Sequence, residues 1–468
     1  MSKRVYFIGI AGKAMGPLAK AFKDMGWEVS GSDHVGIYPP ISTYLQENQI
    51  PYLEGYRAEN VPSKVDLIIV GRSALMVDPQ NPEFLEAQKR NCPVLSYPEA
   101  LQQYLIKKNS LVVAGTYGKT TISAVLASIL IAAGLNPSYM IGGVPIGMKD
   151  GVKITDSGYS VVEGDEPPAL RETDPPKFMF YQPKFLLLTA TKHDHPEIYP
   201  TSQAYLEAFI KLVKLLPPTG ILVYNLEEVD PLVIAAFDGQ KISYSLENPR
   251  ADWHVAAIKY EGDKTLFQAV GRKTLELETS LLGKFNLENL CGAVALAEAL
   301  GIEPKAIAQG VTNFQGIKTR LEFLGLAGGR FCYWDFAQHP HKVKGSLEAL
   351  REHYPDRRIT VIFDPAMTGL KYRESLAWYP GTFDAANQVI IGQVSFLKNI
   401  AKTDRVTGSD LVAAIAKTQP AVFYEPRDEE IMKYLVKKTQ PGEVIVFMSS
   451  GGRRFVDLMQ ETIKKLTD

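Results

Sequence analysis

A glycine-rich loop at residues 115–121, Gly-Thr-Tyr-Gly-Lys-Thr-Thr, contains the residue types that bind phosphate groups. Backbone N–H groups at a glycine turn before a helix can surround phosphate oxygens, and Lys119 adds a positive charge. The hydroxyl of Thr120 can contact Mg²⁺ in such a loop. The strict pattern, Gly-x-x-x-x-Gly-Lys-Ser/Thr, requires glycine where this chain has Val113, so the loop is a shortened form. The predicted strand before it and helix after it favour phosphate binding over a plain strand–helix turn.

Acidic and imidazole side chains follow two later predicted strands. Residues 163–166 read Glu-Gly-Asp-Glu, and residues 192–195 read Lys-His-Asp-His. Each cluster alone is typical of a solvated loop, but the carboxyl ends of parallel strands share one edge of a sheet, where ligands bind. A metal ion held by Thr120, Glu163 and His195 would bridge ATP phosphates and an acyl oxygen.

A second glycine turn lies near the N-terminus, where residues 9–14 read Gly-Ile-Ala-Gly-Lys-Ala. A dinucleotide fingerprint would have glycine in place of Ala11 and Ala14, so NAD binding is disfavoured. Asp33 follows the second predicted strand and could accept a hydrogen bond from a ribose hydroxyl. Diphosphate binding and an ordinary strand–helix turn both remain open for this segment.

Later candidates lie near predicted element ends. Asn286 and Asn289 open an alanine-rich helix, where capping is the alternative role. Arg320 follows a predicted linker and could reach a γ-phosphate or form an interdomain salt bridge. Asp335 follows soon after Arg320, and residues 449–452, Ser-Ser-Gly-Gly, could form an anion-binding turn or a plain one.

These candidates must be positioned by strands and helices that alternate along most of the chain, which predicts parallel sheets. The expected fold class is α/β with three domains. We place a Rossmann-like domain at 1–108, a central P-loop ATPase-like domain at 109–313, and a C-terminal Rossmann-like domain at 314–468.

The amino-acid composition is consistent with a globular protein of this fold class. The 468 residues include 51 Lys+Arg and 52 Asp+Glu, and a net charge of −1 gives no general attraction to nucleic acid or to an anionic membrane. No apolar run reaches the roughly 18 residues of a membrane span, and no signal peptide is expected. Three scattered cysteines exclude a disulfide scaffold and a CxxC zinc site. We therefore expect a reduced cytoplasmic enzyme.

Together these motifs resemble the Mur ligases, which use ATP to join amino acids or peptides to UDP-linked muramyl precursors. Residues 115–121 are similar to the family's phosphate loop, and residues 7–15 with 30–33 to its UDP-sugar-binding domain. Segments 38–43, 141–145 and 440–452 look most like the branch that attaches L-Ala-γ-D-Glu-meso-diaminopimelate to UDP-N-acetylmuramate in peptidoglycan recycling.

The resemblance implies an acyl-phosphate mechanism with ATP and Mg²⁺. It implies that Lys119 holds the β- and γ-phosphates, that Thr120, Glu163 and His195 carry the metal, and that Arg320 acts in catalysis. It also implies two sets of binding residues. The ATP set is Gly115, Thr116, Gly118, Lys119, Thr120, Thr121, Asn286, Asn289, Arg320 and Asp335, and the UDP-sugar set is Gly9, Gly12, Met15, Ser32 and Asp33.

Several positions depart from the family pattern. Histidine is usual at the positions of Tyr117, Phe285 and Gln338, glutamate at Lys192, and arginine at Ala366. Three alternatives therefore stay open. They are a ligase that adds L-alanine, a related protein with another acceptor, and a protein that only binds these ligands.

Overall fold

Three sheets organise this protein, whose computed structural model describes residues 2–38, 40–195, 198–261, 264–394, 404–449 and 452–467. The sheets are mostly parallel, as expected for strands that alternate with helices. Within the described ranges, no helix is both long enough and apolar enough to cross a membrane.

The first sheet contains five parallel strands in the order β3-β2-β1-β4-β5. Its apolar central strands are buried on both faces, as in doubly wound sheets. The elements in chain order are β1 (Arg4–Ile8), α1 (Met15–Asp24), β2 (Glu28–Asp33), α2 (Ile41–Glu47), β3 (Tyr52–Glu54), β4 (Leu67–Val70), α3 (Arg72–Val77), α4 (Pro82–Ala87), β5 (Val94–Ser96) and α5 (Tyr97–Ala100).

The second sheet has ten strands in the order β15-β14-β13-β12-β11-β10-β6-β9-β7-β8. Antiparallel pairs at both edges, β13-β14-β15 and β7-β8, extend a parallel centre. The elements are β6 (Asn109–Ala114), α6 (Lys119–Ala132), β7 (Ser138–Met140), β8 (Val152–Lys153), β9 (Tyr159–Gly164), β10 (Phe185–Leu188), α7 (Ser202–Val213), β11 (Ile221–Asn225), α8 (Pro231–Ala235), β12 (Gln240–Ser245), β13 (Trp253–Glu261), β14 (Lys264–Val270), β15 (Thr274–Thr279), α9 (Lys284–Ala299) and α10 (Pro304–Asn313).

The third sheet has six strands in the order β16-β17-β21-β18-β19-β20, and only β16 runs antiparallel to its neighbour. The elements are β16 (Glu322–Ala327), β17 (Arg330–Asp335), α11 (Pro340–His353), β18 (Ile359–Phe363), β19 (Gln388–Ile391), α12 (Gly408–Ile415), β20 (Val422–Tyr424), α13 (Asp428–Lys438), β21 (Val444–Met448) and α14 (Arg453–Thr467).

The chain divides into two compact units. The first comprises Met1–Leu281 with Phe285–Gln315, and the second comprises Leu282–Lys284 with Gly316–Asp468. In the first unit, one apolar core contains residues of both sheets, including Phe7 in β1 and Leu186 in β10. The second unit has its own core on the faces of the third sheet.

One boundary changes the interpretation of two candidates. Helix α9 begins at Lys284, earlier than the start of the alanine-rich pattern. Asn286 and Asn289 are therefore the third and sixth residues of the helix, and neither is the residue before its first turn.

Candidate active site

The phosphate loop joins β6 to α6 and needs its two glycines. Gly115 and Gly118 have φ values of +130° and +79°, a range that side chains rarely adopt. A Cβ on Gly115 would lie 2.2 Å from Thr189 Oγ1, and one on Gly118 would lie 2.5 Å from Asn289 Oδ1. Because α6 begins at Lys119, the loop leads into a helix N-terminus, where the first-turn N–H groups have no intrahelical acceptor. This geometry suits an anion such as a phosphate group.

Lys119 is held inside the loop by a buried carboxylate. Its Nζ donates to the carbonyl of Gly115 at 2.6 Å and to the two carboxylate oxygens of Glu166 at 2.9 and 3.1 Å. The side chains are only 13% and 2% exposed. Burial by itself would lower the pKa of Lys119, because it disfavours the charged ammonium. The negative charges of Glu166 and Asp165 outweigh this effect, so the pKa of Lys119 is raised overall. The sequence drew attention to Glu166 only as part of an acidic cluster, since pairing across 47 positions has no local signal.

Thr120 and Glu163 form a second pair beside Lys119. Thr120 Oγ1 donates to Glu163 Oε1 at 2.9 Å, and the N–H of Gly142 donates to Glu163 Oε2 at 2.7 Å. Burial raises the pKa of Glu163 to about 7, and the charge of Asp165 acts in the same direction. Mg²⁺ at nucleotide sites takes one or two protein oxygens together with phosphates and waters. The hydroxyl and carboxylate of this pair are oxygen donors of that kind, so the pair fits such an ion.

In the described ranges, no three His, Cys, Asp or Glu side chains are grouped to hold a metal. His195 lies beyond β10 with a φ of +55°. Its N–H donates to Asp194 Oδ1 at 2.9 Å, and its Nε2 is 3.9 Å from Asp194 Oδ2. A metal-binding role for His195 stays a prediction.

The unusual Lys192 has a counter-ion that the sequence did not reveal. Its Nζ lies 2.5 Å from Glu228 Oε2, and the hydroxyl of Tyr117 donates to the same oxygen. Burial opposes ionisation of Glu228, but hydrogen bonds from Lys192 and Tyr117 lower its pKa overall. Thr116 Oγ1 also donates to the carbonyl of Lys192 at 2.7 Å. Two departures from the family pattern, Tyr117 and Lys192, therefore meet at one carboxylate that follows β11.

Asn289 lies against the phosphate loop, since its Oδ1 is the atom that a Cβ on Gly118 would meet at 2.5 Å. Its Nδ2 is 3.4 Å from Asn286 Oδ1 on the preceding helical turn. The remaining loop residue Thr121 lies in the first turn of α6. The structure thus brings Asn289 and the predicted phosphate-binding residues together in one unit.

Asp33 organises the N-terminal glycine turn. Its Oδ2 accepts the N–H of Ala11 at 2.7 Å, and its Oδ1 accepts the hydroxyl of Tyr56 at 3.0 Å and the N–H of His34 at 2.8 Å. His34 Nδ1 is also 2.7 Å from Oδ1. The carboxylate therefore already holds the turn and two side chains, and a ribose contact is an additional prediction.

The other predicted UDP-sugar residues surround that turn. Gly9 has a φ of +85°, and Met15 starts α1. Ser32 is fully buried, and its hydroxyl donates to the buried Glu83. A Cβ on Gly12 would lie 3.3 Å from Met15 Cγ. The hydroxyl of Ser32 is therefore used in a buried hydrogen bond within the fold, and a contact with the UDP-sugar stays a prediction.

In the second unit, Asp335 ends β17 and is buried, and its Oδ1 accepts the N–H of Ala337 at 2.8 Å. Burial raises the pKa of Asp335, although a hydrogen bond from Ser346 and the charge of Arg320 oppose the shift. Arg320 is thus in electrostatic range of Asp335. Of the segments singled out in the sequence, Pro39, Ser450 and Gly451 lie outside the described residues.

Comparisons with known proteins match nearly the whole chain. Three family models match: "Mur ligase family, catalytic domain" at 4–109, "Mur ligase middle domain" at 113–297, and "Mur ligase, glutamate ligase domain" at 319–451. The UDP-N-acetylmuramate–L-alanyl-γ-D-glutamyl-meso-2,6-diaminoheptandioate ligase of Escherichia coli K12 is 30% identical over 455 residues, 96% of this chain and 95% of that protein.

Two L-alanine ligases are also similar. The UDP-N-acetylmuramate–L-alanine ligase of Desulfitobacterium hafniense is 27% identical over 454 residues, 96% of this chain and 98% of that protein. The crystal structure of the corresponding Thermotoga maritima enzyme covers 99% of this chain and 98% of its own, with a TM-score of 0.77 and 21% identity. These matches confirm the three-domain α/β fold expected from the sequence.

Proposed function

The chain belongs to the Mur ligase family of ATP-dependent ligases, and we propose that it attaches L-Ala-γ-D-Glu-meso-diaminopimelate to UDP-N-acetylmuramate in peptidoglycan recycling. The observation that carries the proposal is the loop at 115–121, where Lys119 and the start of α6 offer a phosphate site beside Thr120 and Glu163. The relative in E. coli supports the peptide acceptor. A cytoplasmic location is part of the proposal.

The reaction has two steps. A carboxylate oxygen of UDP-N-acetylmuramate attacks the γ-phosphorus of ATP, and ADP leaves. The amine of the peptide then attacks the acyl carbon, loses its proton, and displaces inorganic phosphate through a tetrahedral intermediate. Lys119 would exchange Glu166 for the phosphates and stabilise the transferred charge.

Metal binding is assigned to the pair beside the loop. Thr120 and Glu163 would hold Mg²⁺, with His195 as a further ligand. When bound, Mg²⁺ neutralises phosphate charge. Glu163 must be ionised to serve as a ligand, which its partners Thr120 and Gly142 favour by donating hydrogen bonds.

The remaining roles follow the family pattern. Asn286 and Asn289 would contact the adenine, and Arg320 and Asp335 would contact phosphate and ribose. The UDP-sugar would be bound at the N-terminal glycine turn, whose residues are Gly9, Gly12, Met15, Ser32 and Asp33.

L-alanine is the second candidate acceptor, because the similar D. hafniense protein is named as a UDP-N-acetylmuramate–L-alanine ligase and is covered over 98% of its length. A binding protein without turnover is the third, because Lys192 and Gln338 replace family residues.

Phosphate release from ATP with UDP-N-acetylmuramate tests these candidates, with the tripeptide, L-alanine or no acceptor. Phosphate release only when the tripeptide is added supports the proposed peptide acceptor. Phosphate release only when L-alanine is added would make L-alanine the acceptor. ATP binding without release under any of these conditions favours a related protein with another acceptor or a protein that only binds these ligands. Lys119→Ala should abolish release. The variant should still unfold in one cooperative transition, at a lower temperature than the wild type because the buried Glu166 loses its counter-ion; wild-type turnover would exclude this loop as the phosphate site.

A further inference from the structure

Two side chains that depart from the family pattern, Tyr117 and Lys192, meet at one carboxylate beside the phosphate loop. Lys192 Nζ lies 2.5 Å from Glu228 Oε2, and the hydroxyl of Tyr117 donates to the same oxygen. The carboxylate is partly buried, with 23% of the Glu228 side chain exposed. We call Tyr117, Glu228 and Lys192 the loop triad. None of the three belongs to the residues assigned to ATP or Mg²⁺, so the triad needs another role.

The loop triad connects three neighbouring strand ends. Strands β6, β10 and β11 are adjacent and parallel in the second sheet, and Tyr117, Lys192 and Glu228 follow them in that order. Because Tyr117 lies in the phosphate loop, its hydrogen bond ties the middle of this loop to the end of β11. The contact therefore restrains the segment whose N–H groups are proposed to surround a phosphate.

Backbone contacts fix the carboxylate end of the loop triad. The N–H of Glu228 donates to Asn225 Oδ1 at 3.1 Å, and the carbonyl of Glu228 accepts the N–H of Thr191 at 3.0 Å. Thr191 Oγ1 in turn accepts the N–H of Asp230 at 2.8 Å. Glu228 thus has a fixed position from which its side chain holds Tyr117.

The phosphate loop has two further contacts with the segment that contains Lys192. The N–H of Thr116 donates to the carbonyl of Ala190 at 3.0 Å, and Thr116 Oγ1 donates to the carbonyl of Lys192 at 2.7 Å. The side chain of Tyr117 extends this attachment to the next strand of the sheet. Since two glycines give the loop extra backbone freedom, such contacts reduce the entropy that nucleotide binding must remove.

Electrostatics gives Lys192 a separate part in the loop triad. Glu288 in α9 lies in electrostatic range of both Glu228 and Tyr117, so two carboxylates adjoin the loop. An uncompensated carboxylate at Glu228 would repel a phosphate group. Lys192 reduces this repulsion, although its side chain is 63% exposed and the ion pair alone adds little stability.

We propose that the loop triad positions the phosphate loop for the nucleotide. Glu228 is the fixed anchor, and Tyr117 links it to the loop. Lys192 is the internal counter-ion of Glu228 and does not itself bind the phosphates. The inference deepens the proposed function and rests on it, because it takes residues 115–121 as the site of the ATP phosphates. It also accounts for the joint departure of Tyr117 and Lys192 from the family pattern, since the tyrosine needs an acceptor and that carboxylate needs a cation.

ATP and inorganic tripolyphosphate test the link through Tyr117, because both carry the phosphate chain and only ATP carries a base and a ribose. Tyr117→Phe keeps the ring and the net charge but removes the hydrogen bond. At one fixed Mg²⁺ concentration, we expect the calorimetric Kd of both probes to rise by about five- to ten-fold. In phosphate release, the KM of ATP should rise while kcat changes by less than about two-fold.

Two results with Tyr117→Phe would overturn the inference. A higher Kd for ATP alone would show that the tyrosine acts on the base or the ribose. Unchanged Kd values for both probes would show that the loop keeps its shape without the link.

A charge-suppression experiment tests the part of Lys192. Lys192→Met leaves Glu228 as an uncompensated carboxylate and should raise the Kd of both probes by about ten-fold. Adding Glu228→Gln to Lys192→Met should recover most of this loss, since the glutamine is neutral and its carbonyl still accepts the hydroxyl of Tyr117. Lys192→Arg should bind both probes like the wild type. A double variant that binds as weakly as Lys192→Met would mean that Lys192 contacts the phosphates, which contradicts the inference.

The matched control is Glu227→Gln at the neighbouring position. Glu227 Oε1 accepts from Asn248 Nδ2 at 2.9 Å, and Glu227 has no part in the loop triad. Its Kd values should stay within about two-fold of the wild type, because an exposed charge is screened by salt. A ten-fold change here would assign the effects to the general charge of this sheet edge and overturn the inference. Thermal unfolding in one cooperative transition shows that each variant is folded.

Binding measurements separate this inference from the proposed function. If Tyr117→Phe binds both probes more weakly and no acceptor gives phosphate release, the loop triad stands and the ligase proposal fails. If the tripeptide gives phosphate release and Tyr117→Phe binds both probes like the wild type, the ligase proposal stands and the loop triad fails. If the wild type binds neither probe, both proposals fail.

Discussion

At the scale of single residues, the buried ion pair Lys119–Glu166 sets the charge of the proposed phosphate site. Glu166 lies deep in the unit, and Tyr199 donates its hydroxyl to the Glu166 carbonyl at 2.7 Å. In the proposed nucleotide complex, a phosphate group and this carboxylate need the same ammonium. Nucleotide binding must therefore compete with an interaction inside the protein.

Glu166→Gln should make ATP bind several-fold more tightly, because the competing negative charge is removed. The same change should lower the stability of the nucleotide-free protein by about 1–3 kcal/mol, since a buried ammonium loses its counter-ion. Calorimetric titration with ATP and thermal unfolding without it measure the two effects. Glu172→Gln, at an exposed position of the following loop, is the control. Weaker ATP binding would show that Glu166 positions Lys119 for the nucleotide.

Two ion pairs lie near the phosphate loop, Lys119–Glu166 and Lys192–Glu228, and local sequence patterns identified only the lysine of each. Lys119 belongs to a loop motif, and Lys192 attracted attention because it departs from the family pattern. Their counter-ions, Glu166 and Glu228, are 47 and 36 positions away in sequence. No spacing rule connects residues on different strand ends, so these contacts required the tertiary structure.

At the scale of elements, the sequence predicted the strands and helices with strong patterns and missed the short ones. The runs Ile359–Phe363, Gln388–Ile391 and Val444–Met448 are rich in β-branched residues, a pattern typical of buried strands, and each forms a strand. Strands β7 and β8 were missed because three and two residues are too few for a periodic signal. Pairing with neighbours in the sheet, rather than local propensity, stabilises such strands.

Helix α10 packs closely on α6 through a glycine, which predicts a sensitive position. A Cβ on Gly310 would lie 2.4 Å from the Cα of Ile129, and Ser128 Oγ donates to the Gly310 carbonyl at 2.7 Å. Gly310→Ala should lower the free energy of unfolding by about 1–3 kcal/mol, because the backbones must separate. Scanning calorimetry measures the change.

The control for this prediction is Gly345→Ala in α11, where a Cβ would meet nothing within 4 Å. Alanine there should raise the free energy of unfolding by about 0.5–1 kcal/mol, because it restricts the unfolded chain. If both variants lose stability equally, close packing at Gly310 is not the cause.

At the scale of the whole molecule, a buried aspartate joins the two sheets of the first unit. Asp150 precedes β8, and its Oδ1 accepts the hydroxyl of Tyr44 in α2 at 2.6 Å. Its Oδ2 lies 3.5 Å from Lys20 Nζ in α1. The contact links helices of the first sheet to an edge of the second.

Asp150→Ala should lower the free energy of unfolding by about 1–3 kcal/mol, since two polar groups lose a buried partner. Tyr44→Phe should cost only about 1 kcal/mol, because it removes one hydrogen bond and leaves the ion pair. Urea unfolding of the two variants measures both values. Because Tyr44→Phe keeps the aromatic ring, a larger loss for this variant than for Asp150→Ala would mean that the aspartate is not the group that joins the sheets.

The stability of the second unit should depend on pH through Asp364. Burial raises the pKa of this carboxyl from 3.8 to about 6, with Arg454 opposing the shift. Between these values the folded chain binds more protons than the unfolded chain, so the free energy of unfolding falls as pH rises. We expect this carboxyl to contribute a loss of roughly 2 kcal/mol between about pH 4 and about pH 7. Urea unfolding at the two pH values should give a smaller change for Asp364→Asn than for the wild type, because an amide does not titrate. An identical pH dependence would mean that Asp364 is ionised over the whole range, as the guanidinium of Arg454 alone would favour.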